Sequence, residues 1–158
     1  MDQLLIFFAQ YLFLLSCVVS TVYFLQQNWS QKKKILLVAV PAFVLAYLAA
    51  LVASQLYFDP RPFVVGNFIP LIPHIADNGF PSDHALLVCA IASVATFLNT
   101  RLAFVLWIIA LLVMAGRVYV GLHTVLDVGA SAWITFASTL LVVKAMSYYQ
   151  VENWKLFT

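Results

Sequence analysis

Residues 102–120, LAFVLWIIALLVMAGRVYV, decide the fold class of this chain. In this run only Gly116 and Arg117 fall outside the hydrophobic residue types. A helix needs about 20 apolar residues to cross the hydrocarbon core of a bilayer. The run is therefore predicted to be a transmembrane helix with Arg117 near its end.

Four more apolar runs lie at residues 4–25, 35–58, 82–98 and 125–143. Over all 158 residues, 65% are hydrophobic and only 9% are charged. A soluble domain has about half apolar and a quarter charged residues, so this chain could not cover a water-facing surface. We expect an all-α, polytopic membrane bundle of about five transmembrane helices, forming a single domain over residues 1–158.

The connection at residues 59–81 cannot be a regular helix, because it holds five of the six prolines. A connection of this length in a compact chain is usually functional. The net charge of +2 is too small to indicate nucleic-acid binding. The expected partner at this level is therefore the bilayer.

Basic residues predict the orientation, because short cytoplasmic loops carry an excess of lysine and arginine. With five spans, one side holds Lys32, Lys33, Lys34, Arg101, Lys144 and Lys155. This side is expected to be the cytoplasm. Arg61 and Arg117 fall on the outer side against this rule, which indicates a functional site there.

The same span count brings a set of polar residues to the outer face: Arg61, His74, Asp77, Ser82, Asp83, His84, Arg117, His123 and Asp127. His123 and Asp127 are four residues apart and would share a helical face. A carboxylate on one ring nitrogen leaves the other free to attack, although such pairs are also purely structural.

Ser82 comes directly before a predicted helix, so we expect it to be an N-cap. The exposed N–H groups of a helix start can also bind a phosphate. His84 lies in the same first turn and could protonate a leaving oxygen. Arg61 and Arg117 supply two planar guanidinium groups suited to phosphate oxygens. Together these groups would form a phosphoryl-transfer site that needs no metal or cofactor.

Three segments resemble the signatures of the type-2 phosphatidic acid phosphatase superfamily. They are Arg61-Pro62, Pro81-Ser82-Asp83-His84, and Arg117 followed by His123 and Asp127. The resemblance implies that His123 is the nucleophile that forms a phosphohistidine, with Asp127 orienting it. It also implies that His84 is the general acid.

The same resemblance assigns phosphate binding to the arginines and the motif serine, here Arg61, Arg117 and Ser82, and we expect the neighbouring Asp83 to contribute. It also implies a location in the bacterial plasma (inner) membrane. Three positions depart from the family pattern. Ser54 stands where a lysine is expected, Asp83 where a glycine is expected, and Gly116 where a serine is expected. The chain is most similar to the undecaprenyl pyrophosphate phosphatase branch, in which an aspartate in the second motif is usual.

The expected function is removal of the terminal phosphate from undecaprenyl or another polyprenyl diphosphate, which recycles the lipid carrier of cell-wall synthesis. One alternative is a phosphatase for phosphatidylglycerophosphate, phosphatidic acid or lipid A. A second alternative is a lipid-phosphate binding or transport protein with a degenerate site. The lysine missing at Ser54 favours the second alternative, whereas His84, His123 and Asp127 favour an enzyme.

Overall fold

A computed structural model describes residues 2–148 of the chain, and its regular elements are helices. They are α1 (Asp2–Gln10), α2 (Leu12–Gln26), α3 (Trp29–Leu56), α4 (Pro62–Val65), α5 (Asp83–Thr96), α6 (Thr100–Tyr119) and α7 (Val125–Tyr148). The β pairing given for this range is an isolated bridge between Pro60 and Asn78. The prediction of an all-α membrane bundle is confirmed.

The number of helices that can cross a membrane is slightly smaller than the predicted five. In the described range, α3, α6 and α7 are long and apolar enough, and α1 and α2, which meet at a bend of 48°, would make a fourth span if the pair is counted as one. The fifth apolar run forms α5, which has only 14 residues. Each predicted run therefore corresponds to helix, but "about five" spans is approximate.

Two helices extend beyond the apolar runs predicted as spans. The helix α3 begins at Trp29, six residues before the predicted run at residue 35, and so includes Lys32–Lys34. The Asn28 side chain caps this start by accepting from the Gln31 amide at 2.9 Å. The helix α7 likewise continues beyond the predicted run at residues 125–143, through Lys144 to Tyr148. Residues 149–158, including Lys155, lie outside the described residues.

The helix α5 lies at the centre of the bundle, in contact with α2, α3, α6 and α7. Most of its buried side chains are small, which lets neighbouring helices approach closely. The alternating directions of the helices place the start of α5, the end of α6, the start of α7 and residues 59–81 at one end. Lys32–Lys34 and Arg101 lie at the opposite end. This arrangement collects the predicted site residues at one face.

Candidate active site

The connection from α6 to α7 turns the chain sharply, so that His123 returns over the end of α6. The amides of Leu122 and His123 both lie 3.3 Å from the Arg117 carbonyl oxygen. Gly121 makes the turn possible, because its φ of +78° is costly for residues with a side chain. A Cβ at residue 121 would also lie 2.6 Å from the Phe68 ring. The loop therefore holds His123 and Arg117 together.

The His123 ring is 4% exposed, and both of its nitrogens have partners. Nδ1 lies 2.9 Å from the Gly79 carbonyl oxygen and 3.4 Å from Asp127 Oδ2. Nε2 lies 3.4 Å from Arg61 Nη1 and 3.3 Å from Arg117 Nη2. Guanidinium groups only donate and the carbonyl only accepts, so we assign the proton to Nδ1. The lone pair on Nε2 then points between two cations.

Burial lowers the pKa of His123 from its ordinary value, because a charged imidazolium is poorly solvated there. The neighbouring guanidinium groups lower the pKa further, while the hydrogen bond to Asp127 raises it. The net direction is downward. The ring is therefore held neutral near physiological pH, which is the state in which Nε2 can attack an electrophile.

Asp127 is fully buried and belongs to a reciprocal cap at the start of α7. The Thr124 amide donates to Asp127 Oδ2 at 2.8 Å, and the Asp127 amide donates to Thr124 Oγ1 at 3.1 Å. This is the capping-box arrangement, in which the two residues satisfy each other's amides. His123 itself precedes the helix, so the cap, rather than a shared helical face, brings the carboxylate to its ring.

Arg61 is 6% exposed and is held in three directions. Its Nε donates to the Asp77 carboxylate, and its Nη1 donates to the Leu122 carbonyl oxygen at 3.0 Å. Its Nη2 reaches the Asn78 carbonyl oxygen at 3.5 Å. The hydrogen bond from Arg61 is the main cause that lowers the pKa of Asp77. A planar guanidinium fixed in this way can bind phosphate oxygens with a defined geometry.

Ser82 occupies the N-cap position of α5, but its side chain makes no capping hydrogen bond, so the expected side-chain cap was wrong. Its backbone is used instead. The Ser82 amide donates to the Asp127 carbonyl oxygen at 3.4 Å, and Ser131 Oγ donates to the Ser82 carbonyl oxygen at 2.9 Å. The Ser82 hydroxyl is fully buried and has no hydrogen-bond partner among the described residues. It is free to donate to a bound anion.

Asp83 and His84 are the first two residues of α5, and their side chains lie on different sides of the helix. The His84 ring is partly buried and packs edge-on against Phe13, with 5.1 Å between ring centroids and 86° between the planes. The Asp83 side chain is exposed and lines a cleft of about 400 Å³ between α3 and α5, together with Ser54. The structure thus places Asp83 in this cleft rather than among the partners given for His123.

The structure brings four of the predicted residues into direct contact around one ring: Arg61, Arg117, His123 and Asp127. His74 stays at the periphery, with Nδ1 3.8 Å from Asp77 Oδ1. Sequence reasoning missed the roles of Gly79 and Asn78, because the Gly79 contact is made by a backbone carbonyl that every residue carries. Thr124 had a usable signal, since a threonine three residues before an acidic residue at a helix start indicates a capping box.

A family model described as the PAP2 superfamily matches residues 35–150. The chain belongs to the PAP2 superfamily. The predicted resemblance to type-2 phosphatidic acid phosphatases is therefore confirmed. The matched range contains all three motifs, from Arg61 to Asp127.

Two named proteins are similar to this chain over most of its length. The Undecaprenyl-diphosphatase BcrC of Bacillus subtilis (strain 168) is 34% identical over 81% of this chain and 66% of its own length. The Bacitracin transport permease protein BcrC of Bacillus licheniformis is 29% identical over 90% of this chain and 70% of its own length. The chain thus spans about two thirds of the length of these relatives.

A solved structure shows the same fold. The crystal structure of Aquifex aeolicus LpxE superposes with a TM-score of 0.72, covering 90% of this chain and 85% of that chain. The sequence identity is 20%, so this comparison supports the helical arrangement alone.

Proposed function

We propose that this protein is a membrane phosphatase that removes the terminal phosphate of undecaprenyl diphosphate. The observation that carries the proposal is the position of His123 Nε2, 3.3–3.4 Å from the guanidinium groups of Arg117 and Arg61. A neutral nucleophile between two phosphate-binding cations suits attack on phosphorus. The relative from Bacillus subtilis, named as an undecaprenyl-diphosphatase, supports this substrate.

The terminal phosphate would bind where several donors converge. Arg61 and Arg117 offer N–H groups to its oxygens, and Arg117 Nε is buried without a hydrogen-bond partner among the described residues. Ser82 Oγ and the amides at the start of α5 complete the set. These groups neutralise charge as it develops on the transferring phosphoryl group, without a metal or another cofactor.

Chemistry would proceed in two displacements. In the first, Nε2 of His123 forms a bond to phosphorus while the bond to the bridging oxygen breaks, which releases undecaprenyl phosphate. His84 gives a proton to the departing oxygen as general acid. In the second, His84 takes a proton from a water molecule, which attacks phosphorus and breaks the P–N bond. Inorganic phosphate leaves, and His123 returns to its neutral form, held by Gly79 and Asp127.

A lipid substrate fits the surroundings of this site. The cleft between α3 and α5 is polar where Ser54, Asn78 and Asp83 line it. It shares Tyr47, Asp83 and Leu86 with a mainly apolar groove, whose other lining residues are Phe43, Ala46, Leu87 and Ala90. Such a groove can accommodate a hydrocarbon chain beside a phosphate site. Asp83 would then contact the diphosphate at the mouth of the cleft.

The orientation completes the proposal. The chain would lie in the bacterial plasma membrane as a single domain, with the site facing outside. The supporting observation is that Lys32–Lys34 and Arg101 lie at the end of the bundle opposite His123, and basic residues favour the cytoplasmic side. Undecaprenyl diphosphate would therefore be dephosphorylated at the outer face of the membrane.

Phosphate release by the purified protein tests the proposal. We expect undecaprenyl diphosphate to be hydrolysed faster than phosphatidylglycerophosphate, phosphatidic acid or lipid A. His123→Ala should abolish turnover and the covalent phosphoprotein while lipid binding persists. Preference for a glycerolipid would favour the alternative phosphatase. Tight lipid binding with no release would favour a transport role, as the name of the Bacillus licheniformis relative suggests for that protein.

His84→Ala provides a second test of the assigned roles. General acid catalysis contributes roughly 10²–10⁴-fold, and it matters less when the leaving group is good. A diphosphate has a better leaving group than a monoester, so the defect should be smaller on undecaprenyl diphosphate than on phosphatidic acid. Equal defects on both substrates would show that His84 binds phosphate rather than delivering a proton.

A further inference from the structure

We infer that Asn78 is a positioning residue for the nucleophile, acting through the Gly79 carbonyl that accepts the His123 Nδ1 proton. This inference deepens the proposed function and rests on it. Asn78 lies outside the three sequence motifs, in the proline-rich connection between α4 and α5. Its role follows from a set of hydrogen bonds that link the end of α3 to the His123 ring.

Two acceptors compete for the same His123 proton. The Gly79 carbonyl oxygen is 2.9 Å from Nδ1, whereas Asp127 Oδ2 is 3.4 Å away. Asp127 Oδ2 also accepts from the Thr124 amide at 2.8 Å, so it is partly engaged in the helix cap. The backbone carbonyl is therefore the nearer partner, and the orientation of the His123 ring depends on where residue 79 is held.

Residue 79 is held by a backbone hydrogen bond and has close neighbours that leave no room for a side chain. Its amide donates to the Asp59 carbonyl oxygen at 2.8 Å. A Cβ there would lie 3.1 Å from Asp127 Oδ2 and 3.2 Å from the Asp59 carbonyl oxygen, closer than ordinary contact. Glycine thus lets the backbone approach the ring and the carboxylate together. Asp59 Oδ2 in turn accepts from Thr124 Oγ1 at 3.0 Å, which ties this segment to the start of α7.

The Asn78 side chain fixes this segment with a full set of hydrogen bonds. Its Oδ1 accepts from the amides of Asp59 and Phe80, each at 3.0 Å. Its Nδ2 donates to the carbonyl oxygens of Ser54 at 3.1 Å and Tyr57 at 3.0 Å. An amide side chain offers two donor hydrogens and two acceptor lone pairs, and all four are used. The oxygen faces N–H groups and the nitrogen faces carbonyls, so the orientation of the amide is unambiguous.

The same residue also reaches the phosphate-binding side of the site. Its backbone carbonyl oxygen lies 3.5 Å from Arg61 Nη2. Removing the side chain would break the four hydrogen bonds that tie residues 78–80 to the end of α3 and to Asp59, so that the Gly79 carbonyl and Arg61 can shift. A displacement of about 1 Å in a catalytic group can reduce the rate by about 10²-fold. The chemical step should therefore suffer more than substrate binding.

A double-mutant cycle with Asp127 tests the inference. Asn78→Ala should lower kcat by about 10–100-fold with a much smaller change in KM. Asp127→Asn alone should leave residual turnover, because Gly79 still holds the His123 proton. In the double variant both acceptors are weakened, so kcat should fall below the value obtained by multiplying the two single effects. Simple multiplication would overturn the inference, because it would show that the two residues do not act on the same group.

Asn28→Ala is the matched control, because Asn28 caps the opposite end of α3 and lies far from the site. It should lower Tm by about 2–4 °C and leave kcat unchanged. If Asn78→Ala lowers stability but leaves kcat unchanged, as Asn28→Ala is expected to, its role is structural and the inference fails. Wild-type protein that releases no phosphate from undecaprenyl diphosphate would instead refute the proposed function.

The imidazole nitrogen NMR shifts of His123 provide a readout that needs no turnover. Wild-type protein should show the proton on Nδ1, assigned by comparison with His123→Gln. Asn78→Ala should move the Nδ1 shift or mix the two tautomers, whereas Asn28→Ala should not. An unchanged His123 signal in folded Asn78→Ala would overturn the inference whatever the substrate.

Discussion

Replacing Gly116 by alanine should loosen the packing beside Arg117, because α1 lies directly against this position. A Cβ at residue 116 would come 2.8 Å from the Ala9 amide nitrogen and 3.1 Å from its Cα. Both atoms belong to the backbone of α1, so no side-chain rotation can relieve the clash. Optimal carbon contacts begin near about 3.5 Å, which requires α1 to retreat by roughly 0.5 Å.

Gly129 in α7 provides the control that isolates this effect. Alanine gains about 1 kcal/mol of helix propensity over glycine at either position. A Cβ at residue 129 has no heavy-atom neighbour within 4 Å, so Gly129→Ala should show this gain alone. The difference between the two variants is then the overpacking cost, which is typically about 1–3 kcal/mol. In a domain of this size each kcal/mol shifts Tm by about 2–4 °C.

Thermal unfolding of both variants in one detergent, at one scan rate, measures the difference. Gly129→Ala should unfold at or above the wild-type temperature, and Gly116→Ala should unfold roughly 2–12 °C below Gly129→Ala. We also expect kcat/KM of Gly116→Ala to fall, because Arg117 is the next residue of α6. Equal stability of the two variants would refute the direct packing of α1 on residue 116.

Four other outcomes follow from the site and from the proposed topology. Activity should survive strong chelation, because guanidinium groups supply the positive charge, and a strict magnesium requirement in phosphate-release assays would contradict this. Because burial lowers the pKa of His123, kcat/KM should stay constant on acidification down to about pH 6.5, the ordinary pKa of histidine, and fall only below that pH. An acid-side loss of kcat/KM with its midpoint above pH 7 would contradict the assignment. Ser54→Lys should fold and raise kcat/KM by adding a phosphate contact, whereas failed expression would show that the first motif is misaligned. A cysteine at Asn67, in a background without other cysteines, should react with impermeant reagent only from outside, and labelling only from the cytoplasm would reverse the topology.

The helices were largely predictable, because apolar runs long enough to cross a bilayer rarely form anything other than transmembrane helices. The sequence could not indicate the bend at Tyr11, since residues 7–14 contain neither proline nor glycine and α1 turns to pack on α6. The early start of α3 was missed for a different reason. Lys32–Lys34 were predicted to lie in a polar loop, but long lysine side chains are also compatible with a helix end at the membrane boundary.

The part of the candidate site that is formed by side chains could be predicted from the sequence. Arginine, histidine and aspartate at fixed spacing pointed to the His123 cluster before any geometry was known. Contacts made by the backbone, such as the one between the Gly79 carbonyl oxygen and His123 Nδ1, do not depend on residue type. They therefore cannot be predicted from the sequence. The sequence also could not predict that the Ser82 hydroxyl makes no capping hydrogen bond, because a serine before a helix usually caps it.

The shortness of α5 has a consequence for how a lipid reaches His84. Fourteen residues at a rise of about 1.5 Å span about 21 Å, against a hydrocarbon thickness of about 30 Å. The helix α6 starts from the same turn and has 20 residues, enough for the full thickness. The helix α5 is therefore roughly 9 Å shorter than the hydrocarbon layer, so at least one of its ends lies below the membrane boundary. A lipid phosphatase with His84 at such an end would receive its substrate by lateral diffusion within the leaflet, without extracting a lipid from the membrane.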